Sequence, residues 1–314
     1  MLPTPLERPM KIAIVGAGGV GGYLGGLLAV AGHEVALVAR GEHLRAIREH
    51  GLSVRSVHGD FEVRPALVTD APAEFGTAEM VVIAVKTYDT DAAAEAAQPI
   101  VGPTTTVIPL QNGVDAAARL APHFGDRVLP GAAWIVASIE RPGVIRQESQ
   151  VRHFVIGEVD GRETARLEKV REAIASSGCS AETSNDIDRV LWLKLLFIAS
   201  IGALTAVTRS PVGRILEVPE SRELLRRAMA EVEAVARAKG IPLEDDATER
   251  GMVFAGKLEP AATSSMARDV AAGRRSEHDA LCGMVVRCGR KHGVPTPVHE
   301  FCWIVLRTAE PAQV

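Results

Sequence analysis

Lys11-Ile-Ala-Ile-Val15 leads without a break into Gly16-Ala-Gly18-Gly19-Val20-Gly21. The first five residues are a short apolar run suited to a buried parallel strand, and the glycines behind it have G-x-G-x-x-G spacing. Each glycine answers a steric need. Gly16 makes the tight turn, Gly18 lets backbone approach a pyrophosphate, and Gly21 lets the following helix pack closely on the strand. Gly19 and Val20 belong to the same phosphate-facing turn. A helix is expected from about Val20 to Ala31, its unpaired N–H groups and positive dipole end turned toward the phosphates. Gly32 then stops it, in the usual place for a glycine.

A second apolar strand, Glu34 to Ala39, ends where a chain that binds NAD carries an acidic residue for the ribose 2′-hydroxyl, roughly 20 residues past the glycines. Arg40 stands there instead. An arginine suits a 2′-phosphate, so the expected cofactor is NADPH rather than NADH. A glycine-rich surface turn would account for the glycines, but not for the strand, helix, second strand and arginine in order.

The alternation continues. Met80–Val85 is expected as a strand, Asp89–Gln98 as a helix, Thr106–Leu110 as a strand and Val114–Phe124 as a helix, followed by a strand around Ala132–Ala137. This pattern predicts a doubly wound α/β fold, a Rossmann-type parallel sheet covered on both faces. Val144–Gln147 and His153–Ile156 read as hairpin-like additions at one edge of that sheet, before a helix over Arg162–Ser177. Beyond Asp186 no strand is expected. Helices are predicted over Ile187–Val207, Ser221–Lys239, Ala247–Ala255, Ser264–Ala272 and Glu277–His292. The fold class is therefore α/β followed by an all-helical C-terminal domain, with a boundary near residue 185. Residues 10–185 would bind the cofactor, 186–314 would carry the substrate and catalytic groups, and the proline-rich residues 1–9 read as a disordered extension.

The chain has 314 residues, 47% hydrophobic and 24% charged, with a net charge of −4. That suits two soluble domains of ordinary size and provides no basic field for nucleic acid. Cys179, Cys282, Cys288 and Cys302 show neither a disulfide framework nor metal-ligand spacing, so a cytoplasmic location and no metal are expected. The run Val190–Val207 is almost wholly apolar, but Lys194 lies within it. A lysine at mid-bilayer costs about 2.5–3.5 kcal/mol even on insertion scales, which favours a helix buried in protein over a membrane span. The apolar C-terminal helices are also compatible with a homodimer.

Ligands of such sheets bind beyond the carboxyl ends of the strands. Lys86 follows the strand ending at Val85, and Asn112 follows the strand ending at Leu110, so both are candidates to face the cofactor and substrate. Lys194 has Val190, Leu191, Phe197 and Ile198 as its helical neighbours. Its ammonium must snorkel, find a partner or serve a site, and apolar surroundings lower a lysine pKa toward that of an acid useful at neutral pH. Glu277 follows Ser276, an apparent N-cap with Asp279 three residues on, so it also reads as an ordinary first-turn partner of the helix dipole. Thr263-Ser264-Ser265 is another N-cap signal, and its hydroxyls could take a carboxylate.

With the glycine motif, the Val85-Lys-Thr-Tyr-Asp-Thr90 and Leu110-Gln-Asn-Gly113 strand ends, the Leu191-Trp-Leu-Lys194 helix and the Ser264-to-Asp269 and Arg274-to-Asp279 stretches in sequence, the chain resembles the ketopantoate reductase family over about residues 10–308. The resemblance implies a 2-oxo acid substrate reduced with NADPH, Lys194 as the acid that protonates the ketone oxygen, and Glu277 as support for the substrate or the lysine. It implies Lys86 and Asn112 at the cofactor and substrate site, Ser265 on the substrate and Arg40 on the 2′-phosphate. Members acting on ketopantoate usually carry asparagines four and eight residues after the lysine; this chain has Ile198 and Gly202. The leading expectation is conversion of ketopantoate to pantoate in pantothenate synthesis. A relative reducing another 2-oxo acid or ketone, and a non-catalytic NADPH-binding protein, are the alternatives.

Overall fold

A computed structural model of the chain describes residues 8–310. Of the extension expected over residues 1–9, residues 1–7 lie outside the described residues. The chain forms two compact units. The first holds the described residues through Gln111 together with Asp115–Ile187, and the second holds Asn112–Val114 and the described residues from Asp188 onward.

In the first unit the elements run β1 (Lys11–Val15), α1 (Gly19–Val30), β2 (Glu34–Val38), α2 (Gly41–His50), β3 (Leu52–Ser56), β4 (Phe61–Val63), β5 (Leu67–Thr69), β6 (Ala78–Ile83), α3 (Thr90–Ala97), β7 (Val101–Pro109), α4 (Ala116–Phe124), β8 (Gly131–Trp134), β9 (Ala137–Arg141), β10 (Val144–Gln147), β11 (His153–Ile156), α5 (Ala165–Ser176) and β12 (Ser180–Thr183). The main sheet has the order β5-β2-β1-β6-β7 with every pairing parallel. Its central strands are buried on both faces, which is why Ile12, Ala13, Ile14 and Val15 read as a continuous apolar run rather than an alternation. The order reverses on either side of β1, and the turn Gly16–Gly18 follows that strand at the reversal.

The strands after β7 do not close the edge of this sheet as expected. β10 pairs antiparallel with β9 and parallel with β3 in a four-stranded sheet, while β11 lies between β8 and β12 in a three-stranded one. Val144–Gln147 and His153–Ile156 are therefore not partners. The single strand expected around Ala132–Ala137 is two strands that belong to different sheets.

The second unit is helical: α6 (Ile187–Thr208), α7 (Val212–Glu217), α8 (Pro219–Ala238), α9 (Ala247–Ala255), α10 (Ser265–Ala271), a π-helical turn over Asp279–Gly283, α11 (Met284–His292) and α12 (Pro297–Ala309). Helix α6 is long and apolar enough to cross a membrane, yet it is mostly buried by protein. Trp192, Leu195, Leu196, Ala199, Ala203 and Leu204 of α6 pack with Leu225, Met229, Val232 and Val285 in one core. That arrangement uses its apolar surface as the centre of a bundle.

Glu231 of α8 ties this bundle to the start of α12. Its carboxylate accepts the Val298 N–H at 2.7 Å and the His299 N–H at 3.0 Å, and lies 2.8 Å from His299 Nδ1. A carboxylate from another helix thus does the work of an N-cap, favoured by the positive helix end. Replacing Glu231 with Ala leaves two buried N–H groups and an imidazole without this acceptor, and should destabilise the unit by roughly 2–4 kcal/mol. The change is read as a lower urea midpoint in tryptophan fluorescence, because Trp192 and Trp303 both lie in this unit. An unchanged midpoint would show that the carboxylate contributes nothing net.

Candidate active site

In the first unit the glycine turn is shaped by close backbone approach. Gly16 has φ +103°, and a Cβ there would lie 2.6 Å from the Val85 nitrogen, in the turn after β6. A Cβ on Gly21 would lie 2.1 Å from the Gly16 carbonyl oxygen, and one on Gly19 would lie 2.2 Å from the carbonyl oxygen of Ala137 in β9. At Gly18, by contrast, a Cβ would meet nothing within 4 Å. The turn is crowded on its protein side and open at Gly18, the residue that caps α1 without a side chain. The N–H groups of Gly16 and Ala17 both go to the Val38 carbonyl, so the donors left over are those of the first turn of α1, including Gly19, Val20 and Gly21. Such an end accepts an anion.

Arg40 lies two residues past the end of β2, is exposed, and caps α2 through backbone alone. Among the described residues its guanidinium has no ion pair, which leaves its five donors available for a phosphate. Lys86 is half-buried at the entry to the short 3-10 turn Thr87–Asp89. Gln111 fixes this turn: its amide nitrogen donates to the Val85 carbonyl at 3.1 Å and to Thr90 Oγ1 at 2.8 Å.

In the second unit, Lys194 on α6 is 8% exposed and Glu277 is 5% exposed. Burial pushes the Lys194 ammonium down from its ordinary value to about 8, and the Glu277 carboxylate opposes part of that fall. Asn112, which clusters with the helical unit, donates its amide N–H to Glu277 Oε2 at 3.4 Å. The structure therefore unites Lys194, Glu277 and Asn112, three residues far apart in sequence. An ammonium whose pKa burial brings to about 8, next to a carboxylate that is itself positioned, is still largely protonated at neutral pH and is a competent proton donor there. The snorkelling alternative does not describe a lysine this buried.

Two local expectations are corrected. The helix expected from Glu277 is irregular at its start, with a π turn from Asp279 and α-helix only from Met284. Ser276 is no N-cap: its hydroxyl meets His278 Nδ1 at 3.0 Å, and Asp279 bonds Arg287 and Trp303. Glu277 stands at the start of this segment, where its carbonyl accepts the Leu281 N–H, and its carboxylate accepts from Asn112. At α10 the cap is Ser264, which accepts the Ala267 N–H and lies 2.9 Å from Thr205 Oγ1 on α6. Ser265 is the exposed first residue of that helix and makes no side-chain hydrogen bond among the described residues.

Comparison with known proteins follows the same two-part division. A family model described as ketopantoate reductase PanE/ApbA matches residues 12–161, and its C-terminal counterpart matches residues 186–310. A 2-dehydropantoate 2-reductase of Halobacterium salinarum is 35% identical over 307 residues, covering 96% of this chain and 99% of the relative. The crystal structure of a PanE/ApbA family ketopantoate reductase from Ralstonia eutropha superposes with a TM-score of 0.89 at 35% identity, covering 96% of this chain and 98% of that one. The structure of D-mandelate dehydrogenase with NADH and anilino(oxo)acetate has a TM-score of 0.88 over 96% of this chain and 98% of that one, but only 22% identity, a likeness of fold alone. The chain belongs to the ketopantoate reductase PanE/ApbA family of oxidoreductases.

Proposed function

We propose that the protein reduces a 2-oxo acid to a 2-hydroxy acid with NADPH, with ketopantoate to pantoate as the first reaction to test. The observation that carries this reading is the buried Lys194, with a pKa of about 8, coupled to Glu277. NADPH, when bound, supplies the hydride for the carbonyl carbon. The open glycine turn and Arg40, which has no ion pair among the described residues, fit its pyrophosphate and 2′-phosphate, and Lys86 is a further cationic candidate for the cofactor or substrate. Lys194 gives a proton to the carbonyl oxygen as the carbon–oxygen double bond is lost, and the neutral amine regains a proton from water. Glu277 favours the charged form of Lys194, and Asn112 orients Glu277 while keeping its carbonyl oxygen as an acceptor for a substrate hydroxyl. Ser265, exposed at the start of α10, is proposed to bind the substrate carboxylate.

One observation favours a second reading of the substrate. Ile198 and Gly202 are four and eight residues beyond Lys194 and offer no amide. A Cβ on Gly202 would lie 3.0 Å from Met266 Cε, so a methionine tip occupies the space next to it. The same chemistry on a 2-oxo acid with an apolar side chain fits this surface. Steady-state oxidation of NADPH with ketopantoate, alongside 3-methyl-2-oxobutanoate and phenylpyruvate, separates the readings by their kcat/KM values. Tight NADPH binding without turnover of any ketone would instead identify a binding protein.

Replacing Lys194 with Ala should lower turnover by at least about a hundredfold while leaving the NADPH dissociation constant within about twofold. Unchanged turnover would remove Lys194 from the chemistry. Because the reducing direction needs the ammonium, turnover should fall as pH rises through about 8, and the reverse oxidation should fall as pH drops through the same value. Glu277→Gln removes the charge that raises the Lys194 pKa, so the alkaline limb of the reduction profile should move to lower pH. A limb that stays in place in this variant would show that some other group titrates.

A further inference from the structure

His43 lies on α2, outside every motif used above, and it grips two backbones at once. Its Nε2 is 2.9 Å from the carbonyl oxygen of Ala17, the residue between Gly16 and Gly18. Its Nδ1 accepts the N–H of Gly143 at 3.0 Å, in the tight turn that joins β9 to β10. An imidazole nitrogen that accepts a backbone N–H carries no proton, so the other nitrogen must be the donor. The ring is therefore neutral with hydrogen on Nε2, and it links the glycine turn to the β9–β10 hairpin.

The same hairpin meets the glycine turn a second time, by contact rather than hydrogen bonding. Gly19 is pressed on the backbone of Ala137 and Ser138 in β9, and Gly22 on Ile145 in β10. At the other end of the hairpin, Gly143 has φ +77° and a Cβ there would lie 3.0 Å from Ala46 Cβ on α2. The first turn of α1 thus lies between its own strand and a hairpin that is hydrogen-bonded to His43. Both polar groups of Ala17 are engaged away from the open side, since its N–H goes to Val38 and its carbonyl to His43.

We propose that His43 is a positioning residue for the dinucleotide: by clamping Ala17 to Gly143 it holds the glycine turn in the conformation that presents the N–H groups of α1 to a pyrophosphate. The inference rests on the reading of that turn as the NADPH site. Burial lowers the His43 pKa, against a smaller raising effect of the bond to Ala17, and so supports the neutral ring that the clamp requires.

The test compares His43→Phe, which keeps a flat aromatic ring, slightly larger, without donor or acceptor, with His43→Gln, whose amide offers both. NADPH affinity is measured by fluorescence titration, and turnover as a function of NADPH with a saturating 2-oxo acid. For H43F the dissociation constant and the KM for NADPH should rise about tenfold, equivalent to about 1.4 kcal/mol, with the loss absent from kcat at saturating NADPH. H43Q should recover most of the affinity. NADPH binding by H43F equal to that of the unmodified protein overturns the proposal, and so does an H43Q variant as impaired as H43F. Should H43F fail to fold, H43M lacks the same hydrogen bonds without needing ring-shaped space, and is judged by the same numbers. Failure of the unmodified protein to bind NADPH at all would instead overturn the underlying reading of the glycine turn, and the clamp's role with it.

Discussion

The first unit depends on backbone meeting backbone at a turn where three glycines leave no room for a side chain. Gly16 touches the turn after β6, Gly21 touches Gly16, and Gly19 touches β9. In an interior packed to crystal-like density, a methyl group at any of these points has nowhere to go. The absence of three β-carbons thus brings a helix, the next parallel strand's exit and a strand of a second sheet together at one place. It also leaves a single direction, outward from Gly18, in which something other than protein can approach.

The second unit meets a different constraint, the burial of charge. Helix α6 supplies the centre of an apolar bundle and carries a lysine into it, and the displaced pKa of that lysine records the cost of desolvation. Glu231 is also largely buried, but three hydrogen-bond donors meet its carboxylate at the start of α12. The comparison separates two uses of a buried ionisable group. One holds helices in place; the other has its pKa displaced by burial, and displaced pKa values of this kind concentrate at functional sites.

What was legible in the sequence was local. The run from Lys11 to Arg40 shows its strand, turn, helix and second strand because each is written in contiguous periodicity and glycine placement, and Lys194 stands out as one charge in an apolar run. Pairing over distance was not legible. β10 lies beside β3, joining Val144 to Ser53, and nothing in either segment names the other. The cap at α10 falls one residue from the serine expected to bind substrate, since two adjacent serines present the same signal and only the bonds that Ser264 makes to the Ala267 N–H and to Thr205 distinguish them. Ser276 looked like a cap because its spacing to Asp279 fits one, but His278 claims its hydroxyl. His43 gave no signal at all, because it acts through two backbone groups whose identity leaves no mark in side-chain pattern.

The tripeptide Asn112–Val114 belongs to the helical unit, although the residues on both sides of it belong to the other. The polypeptide therefore passes from one unit to the other three times, at 111/112, at 114/115 and at 187/188. A helical unit built this way is not a contiguous cassette. Recombination at residue 187 would transfer Lys194 and Glu277 to a new partner while leaving behind the Asn112 that bonds Glu277. Lineages that exchange their C-terminal halves would have to supply a matching loop from the N-terminal half, which ties the inheritance of the two halves together more tightly than a single linker would.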